Sequence, residues 1–176
     1  FNNVFVIDSR QISNGQAFLV IEACRMAEEG MPAREIVGEL NLMKERFYTS
    51  FIVNDLDYLK NIGQLSPFVA TIFNSFLIRP VMTIKNGRMK FVKSRLGSKE
   101  NSWYRYLETE SGKMKNADKR MLVISYAGIP QKDLLHIRET IEKKVQFESI
   151  YFVQSSAAIT VNSGDNAFSL LYLKKS

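Results

Sequence analysis

The sequence predicts an α/β fold in which parallel and antiparallel strand pairing both occur. Three observations carry this expectation. An unbroken apolar run at residues 4–7 leads into a helical pattern, residues 121–154 read strand, helix, strand, and Asn86-Gly87 separates two strand-like runs. A run apolar on both faces belongs in a parallel layer, a strand–helix–strand unit joins parallel neighbours, and Asn-Gly accepts the positive φ values of a two-residue hairpin turn.

Taken in order, residues 4–7 form a buried strand that ends in the turn Asp8-Ser9. Ser13 or Asn14 caps a helix running to about residue 29, where Gly30 stops it. Pro32 suits the first turn of a second helix, whose Ile36, Val37, Leu40 and Met43 recur on one face. A lone strand makes no sheet, so its neighbours come either from later strands or from sequence ahead of Phe1, a first residue other than Met that is read as not being the start of the gene product.

The pattern changes near Arg46, the expected domain junction. A strand follows at residues 47–53, then a short helix at 55–62 stopped by Gly63, then an apolar helix opened by Ser66-Pro67. Residues 81–85 and 88–93 form the hairpin, and Ser98 caps a helix carrying Trp103 and Leu107 to about residue 116. Strands at 121–126 and 149–154 flank a helix at 131–146 and should be parallel neighbours. Residues 157–161 and 167–173 read as two last strands around the turn at 162–166.

A 45% hydrophobic composition supports a substantial core, but the longest apolar runs, such as 68–78, fall well short of the roughly 20 residues of a membrane-spanning helix. The single cysteine, Cys24, makes no internal disulfide and suits a reducing cytosol, so the expected location is cytoplasmic. Cys24 is read as a small core residue. His136, the only histidine, lies off the apolar stripe Leu134, Ile137, Ile141 and Val145 and is read as exposed and inert. One His and one Cys supply neither a nucleophilic pair nor a zinc set, and the isolated glycines match no phosphate-binding fingerprint. No catalytic residue, metal or cofactor is therefore assigned. For Asp8-Ser9, a plain turn is preferred over a ligand-binding one.

Two features remain. Between Asp57 and Glu100 no acidic residue occurs, while Lys60, Arg79, Lys85, Arg88, Lys90, Lys93, Arg95 and Lys99 give a local excess of +8, more than the +6 of the whole chain. Such a stripe is a solvated face or a surface for nucleic acid, anionic lipid or an acidic protein. The segment with Phe68, Val69, Ile72, Phe73, Phe76, Leu77 and Ile78, followed by Met82, is apolar almost all round, which fits burial by protein or the wall of a lipid cavity.

The ordered string of local features resembles the DegV family of bacterial fatty-acid-binding proteins. It runs from Val6-Ile7-Asp8-Ser9 and Ser13-x-Gly15 through Leu56-x-Tyr58-Leu59-Lys60 and Gly63-x-Leu65-Ser66 to Leu77-Ile78-Arg79-Pro80, Asn86-Gly87 and Lys93-Ser94-Arg95. The resemblance implies a longer two-domain protein. Residues 1–46 would be the remnant of a parallel three-layer α/β domain, and residues 47–176 a two-layer α/β sandwich with a mixed sheet.

It also implies a non-catalytic carrier that holds a long-chain fatty acid or similar lipid as ligand, without a cofactor, and presents it to a fatty acid kinase subunit. The expected headgroup contacts are Gln64, Ser66, Asn162, Ser163 and Gly164, and the expected tail contacts Phe68, Ile72, Phe73, Phe76, Ile78 and Met82. Lys93 and Arg95 are the expected contacts with the kinase or a transient anionic membrane surface.

Two departures bear on the head. Gln64 stands where the family commonly has arginine, and Asn162 where it has histidine, so both positions can hydrogen-bond but carry no positive charge. Two other readings stay beside the carrier: an interaction module that has lost its lipid, and, less favoured, a nucleic-acid binder using Phe91 between Lys90 and Lys93.

Overall fold

Alternation along the strands decides which helices cover which side of the sheet. The computed structural model describes residues 3–54, 60 and 77–175. Among these, α1 (Asn14–Glu28) and α2 (Ala33–Arg46) precede β1 (Phe47–Ile52), the hairpin β2 (Ile78–Lys85) and β3 (Arg88–Leu96), and α3 (Lys99–Lys113) with a short 3-10 turn, Met114–Asn116. Then come β4 (Met121–Tyr126), α4 (Gln131–Glu142), β5 (Ser149–Gln154), α5 (Ala157–Ser163) and β6 (Phe168–Leu173).

The six strands form one mixed sheet in the order β3-β2-β1-β6-β4-β5. Only β4 and β5 are parallel, from Met121 opposite Ser149 to Tyr126 opposite Gln154, as the strand–helix–strand spacing requires. β3 and β2 are joined by Asn86 and Gly87, at φ 53° and 70°, the positive values that the turn needs.

One face of the sheet carries Ile52, Leu122, Ile124, Phe168, Leu170 and Tyr172, packed with Trp103, Tyr106 and Leu107 of α3 and the Leu134, Ile137 and Ile141 stripe of α4. Ile137 and Ile141 are fully buried, each contributing about 2 kcal/mol over an exposed position. The opposite face carries Phe47, Val123, Leu171 and Leu173 against Phe18, Leu19 and Met26 of α1 and Leu40 and Met43 of α2. Ser98 caps α3 by accepting from the Asn101 N–H at 3.3 Å. Gly30, at φ 81°, ends the turn after α1.

Three expectations are corrected. Residues 4–7 are not a strand: no described strand pairs with them, and Val4 and Val6 are 64% and 95% exposed. A strand without a neighbour leaves its peptide groups unpaired, so the apolar run alone does not organise it. Residues 157–161 are helical, not extended, because Ile159 and Thr160 donate backbone hydrogen bonds to the Ser156 carbonyl. Their β-branched composition favours a strand only where a sheet edge is offered. Cys24 is exposed on α1 rather than in the core. His136 is exposed, as its place off the α4 stripe implied. The expected helices at 55–62 and after Ser66 lie outside the described residues.

Candidate functional site

Parallel strands leave a crevice beyond their carboxyl ends, and the β4–β5 pair places Ser125 and Ser155 at that edge. A cavity of about 90 Å³ lies there, over the sheet face that α1 and α2 share. Its wall is apolar: Phe51 of β1, Ile84 and Met89 of the hairpin, Leu171 of β6 and Ile159 of α5. Its polar rim is formed by Ser13 and Asn14 at the start of α1, by Ser125 and Ser155, and by Asn162 and Ser163 at the end of α5.

The first turn of α1 is held against the sheet by side chains. Asn14 donates through Nδ2 to the Ser125 hydroxyl, and the Thr49 hydroxyl donates to Gln11 Oε1 at 3.0 Å. Ser13 occupies the N-cap position at φ 49° and makes no side-chain cap bond. The polar residues that a sequence reader assigns to capping are thus turned towards the sheet and the cavity. Gly15 is needed beneath them, since a Cβ there would lie 2.7 Å from Cβ of Gln11.

On the far side, Asn162 donates to the Ala158 carbonyl at 2.8 Å, which leaves its amide oxygen as an acceptor. No described lining residue carries a charge. Among the described residues, the cavity thus offers hydroxyl and amide groups beside an apolar wall. Among the described residues, no three His, Cys, Asp or Glu side chains converge as metal ligands.

Of the expected headgroup residues, Asn162 and Ser163 line the cavity and Gly164 follows them, buried, at φ 77°. Gln64 and Ser66 lie outside the described residues, as do Phe68, Ile72, Phe73 and Phe76. Met82 pairs with Phe51 and shares its face of the sheet, but stands beyond the cavity lining; Ile78 pairs with Leu96 at the start of β2. Phe91, the ladder partner of Met82, prolongs the same apolar track into solvent.

Lys93 and Arg95 are on the other side, against α3. Arg95 donates to the Arg105 carbonyl at 3.0 Å and to the Thr109 hydroxyl. Burial lowers the Lys93 ammonium below its ordinary range, with repulsion from Arg95 and Lys113 adding to it.

The residues that sequence reasoning missed are Ser125, Ser155, Thr49, Phe51, Ile84 and Met89. Ser125 left one usable signal, as the lone small polar residue in the apolar strand 121–126.

A family model described as an uncharacterised protein of the DegV family matches residues 1–175. A DegV domain-containing protein of Staphylococcus aureus (strain MRSA252) is 26% identical over 179 residues, covering 98% of this chain and 61% of the relative. One from Caldanaerobacter subterraneus subsp. tengcongensis is 33% identical over 99 residues, 56% of this chain and 35% of the relative.

Among solved structures, a DegV family protein of Eubacterium eligens loaded with heptadecanoic acid superposes with a TM-score of 0.80 at 17% identity, over 97% of this chain and 60% of that one. A fatty acid binding DegV family protein of Streptococcus agalactiae gives 0.79 at 22% identity, over 98% and 60%. The fatty acid kinase B3 protein of Streptococcus pneumoniae, loaded with linoleic acid, gives 0.78 at 18% identity, over 97% and 60%. The chain thus spans about three fifths of the length of the fuller matches.

Proposed function

The chain belongs to the DegV family, matched over residues 1–175, and from that premise we propose that it is part of a non-catalytic carrier for a long-chain fatty acid or similar lipid. The observation that carries this reading is the cavity itself, apolar on its walls and rimmed by uncharged hydroxyl and amide groups. A site of this composition desolvates a hydrocarbon chain and orients a head, and its described lining offers no histidine, lysine or carboxylate to activate a serine hydroxyl.

At about 90 Å³ the cavity is smaller than a whole ligand pocket, typically about 300 Å³ or more, so it takes the head and the first carbons. The tail continues along the face bearing Met82 and Phe91, with Phe68, Ile72, Phe73 and Phe76 as further tail contacts. Gln64, Ser66, Asn162, Ser163 and Gly164 surround the head, joined by Ser13 and Ser125. Residues 1–46 belong to a preceding parallel α/β domain whose remainder completes the site.

Presentation to a kinase partner draws support from the pneumococcal fatty acid kinase B3 neighbour, and Lys93 and Arg95 are the proposed contact. The carrier acts in the cytoplasm, in step with a lone unpaired cysteine.

Native mass spectrometry of the full-length protein, purified without detergent, tests the reading. The expected spectrum contains an adduct with the mass of one long-chain lipid. A protein that carries no lipid and takes up none when offered oleate would overturn it.

A further inference from the structure

β1 pairs with β6 along its whole length but with β2 only from Ser50 to Ile52. The hairpin tip therefore leaves β1 near Thr49, and the divergence opens a second, larger cavity of about 410 Å³ beside the start of β1. The turn at Arg10 closes one side, where Gly87 approaches so nearly that a Cβ on it would lie 3.8 Å from the Arg10 Cα.

This wedge differs from the first cavity in charge. Arg10, Lys44, Lys85 and Lys174 line it against a single acid, Glu45. Glu45 is already paired with Arg10 at 2.7 Å. Among the described residues, Lys44, Lys85 and Lys174 form no salt bridge. Lys44 donates to the Asp8 carbonyl at 3.2 Å, and Lys174 lies 5.5 Å from the Tyr48 ring centroid. Lys85 stands opposite Arg88 across the ladder, a like-charge pair that costs stability.

Lys44, Lys85 and Lys174 line one cavity whose single described carboxylate, Glu45, is already paired, a local excess of positive charge that attracts an anion. Lysines act as point charges suited to phosphate, and Gln11 and Asn86 add neutral donors. A concave wedge, rather than a flat stripe, fits a small molecule. We propose that it binds a phosphate-bearing metabolite whose phosphate or pyrophosphate group is held by Lys44, Lys85 and Lys174. The site is independent of the lipid reading, although Ile84 lines both cavities.

Calorimetric titration of the full-length protein with inorganic pyrophosphate tests this. One saturable site is expected, about tenfold or more weaker in Lys85→Gln/Lys174→Gln because two charge-assisted contacts are lost. The control Lys90→Gln/Lys132→Gln removes the same charge from exposed positions outside the wedge and should keep the wild-type affinity. Circular dichroism checks that both variants fold, and pyrophosphate should raise the melting temperature of the wild type. No saturable binding, or equal weakening in both double variants, overturns the proposal.

Discussion

Asp165 occupies the space that a side chain on Gly128 would need: a Cβ built on Gly128 falls 1.5 Å from Asp165 Oδ1. Gly128 also sits at φ 63°, in the left-handed region that residues with a Cβ rarely adopt. The loop after β4 and the loop after α5 are thereby interlocked, next to the Ala127 N–H that donates to the Ala167 carbonyl at 3.0 Å. Ser125 lies at one end of this junction and Asn162 and Ser163 at the other.

Gly128→Ala should therefore lower stability by about 1 kcal/mol or more, mostly through backbone strain at positive φ, with a smaller steric part because the exposed Asp165 carboxylate can turn aside. Adding Asp165→Ala should recover the steric part and leave the strain. Urea melts of the single and double variants measure both parts, and equal midpoints for the two would contradict the clash.

Arg79 holds three segments at once. Its Nε donates to Asn54 Oδ1 at 2.7 Å, and Nη1 donates to the carbonyls of Leu77 (3.2 Å) and Gly97. Burial lowers its affinity for the proton. The guanidinium is retained because its fork bridges the chain on both sides of residues 55–76. Arg79→Met should cost about 2–3 kcal/mol, since it strands acceptors that a thioether cannot satisfy. Arg79→Lys should recover only part of that, and chemical denaturation ranks the three proteins.

Asp118 links the stretch after α3 to β4. Its carboxylate accepts from Arg120 Nη2 at 2.9 Å and lies 3.7 Å from Arg46, while its N–H donates to the Leu173 carbonyl. Hydrogen bonds from Arg120 are the main cause holding its carboxyl below the ordinary range. A depressed folded value means stability that is present above the unfolded value, about 3.9, and lost as pH falls through the folded one. Asp118→Asn should lose about 1 kcal/mol at pH 7 and show a shallower fall in melting temperature below about pH 4. Parallel acid limbs in wild type and variant would refute the assignment.

Legibility followed the range of the interactions. The hairpin, the strands at 121–126 and 149–154 and the α4 stripe were readable because turn chemistry and periodicity act over a few residues. Residues 4–7 and 157–161 were misread because an apolar or β-branched run becomes a strand only beside a partner, and partners are a matter of topology. The same holds for the site. Asn162 and Ser163 were reached through the resemblance to the DegV family, whereas Asn14 meets Ser125 across 111 positions and no local pattern joins them. Strand parity could have placed a polar Ser125 on one face of an apolar strand. What covers that face was not readable from it.

Asn162 is the position where the head of the ligand can be tested most directly. It lines the cavity, its Nδ2 is bound to its own helix, and no described lining residue is charged. An ionised carboxylate placed there gains only neutral hydrogen bonds, roughly half as strong as charge-assisted ones. Asn162→His should tighten oleate binding about five- to tenfold below the histidine value near 6.5, and lose that gain as pH rises above it. Ser125→Ala should weaken binding in both backgrounds, because the hydroxyl that receives Asn14 also faces the cavity. Fluorescent fatty-acid displacement at pH 5.5 and 8 separates these effects. A gain that does not depend on pH would place the histidine away from the carboxylate.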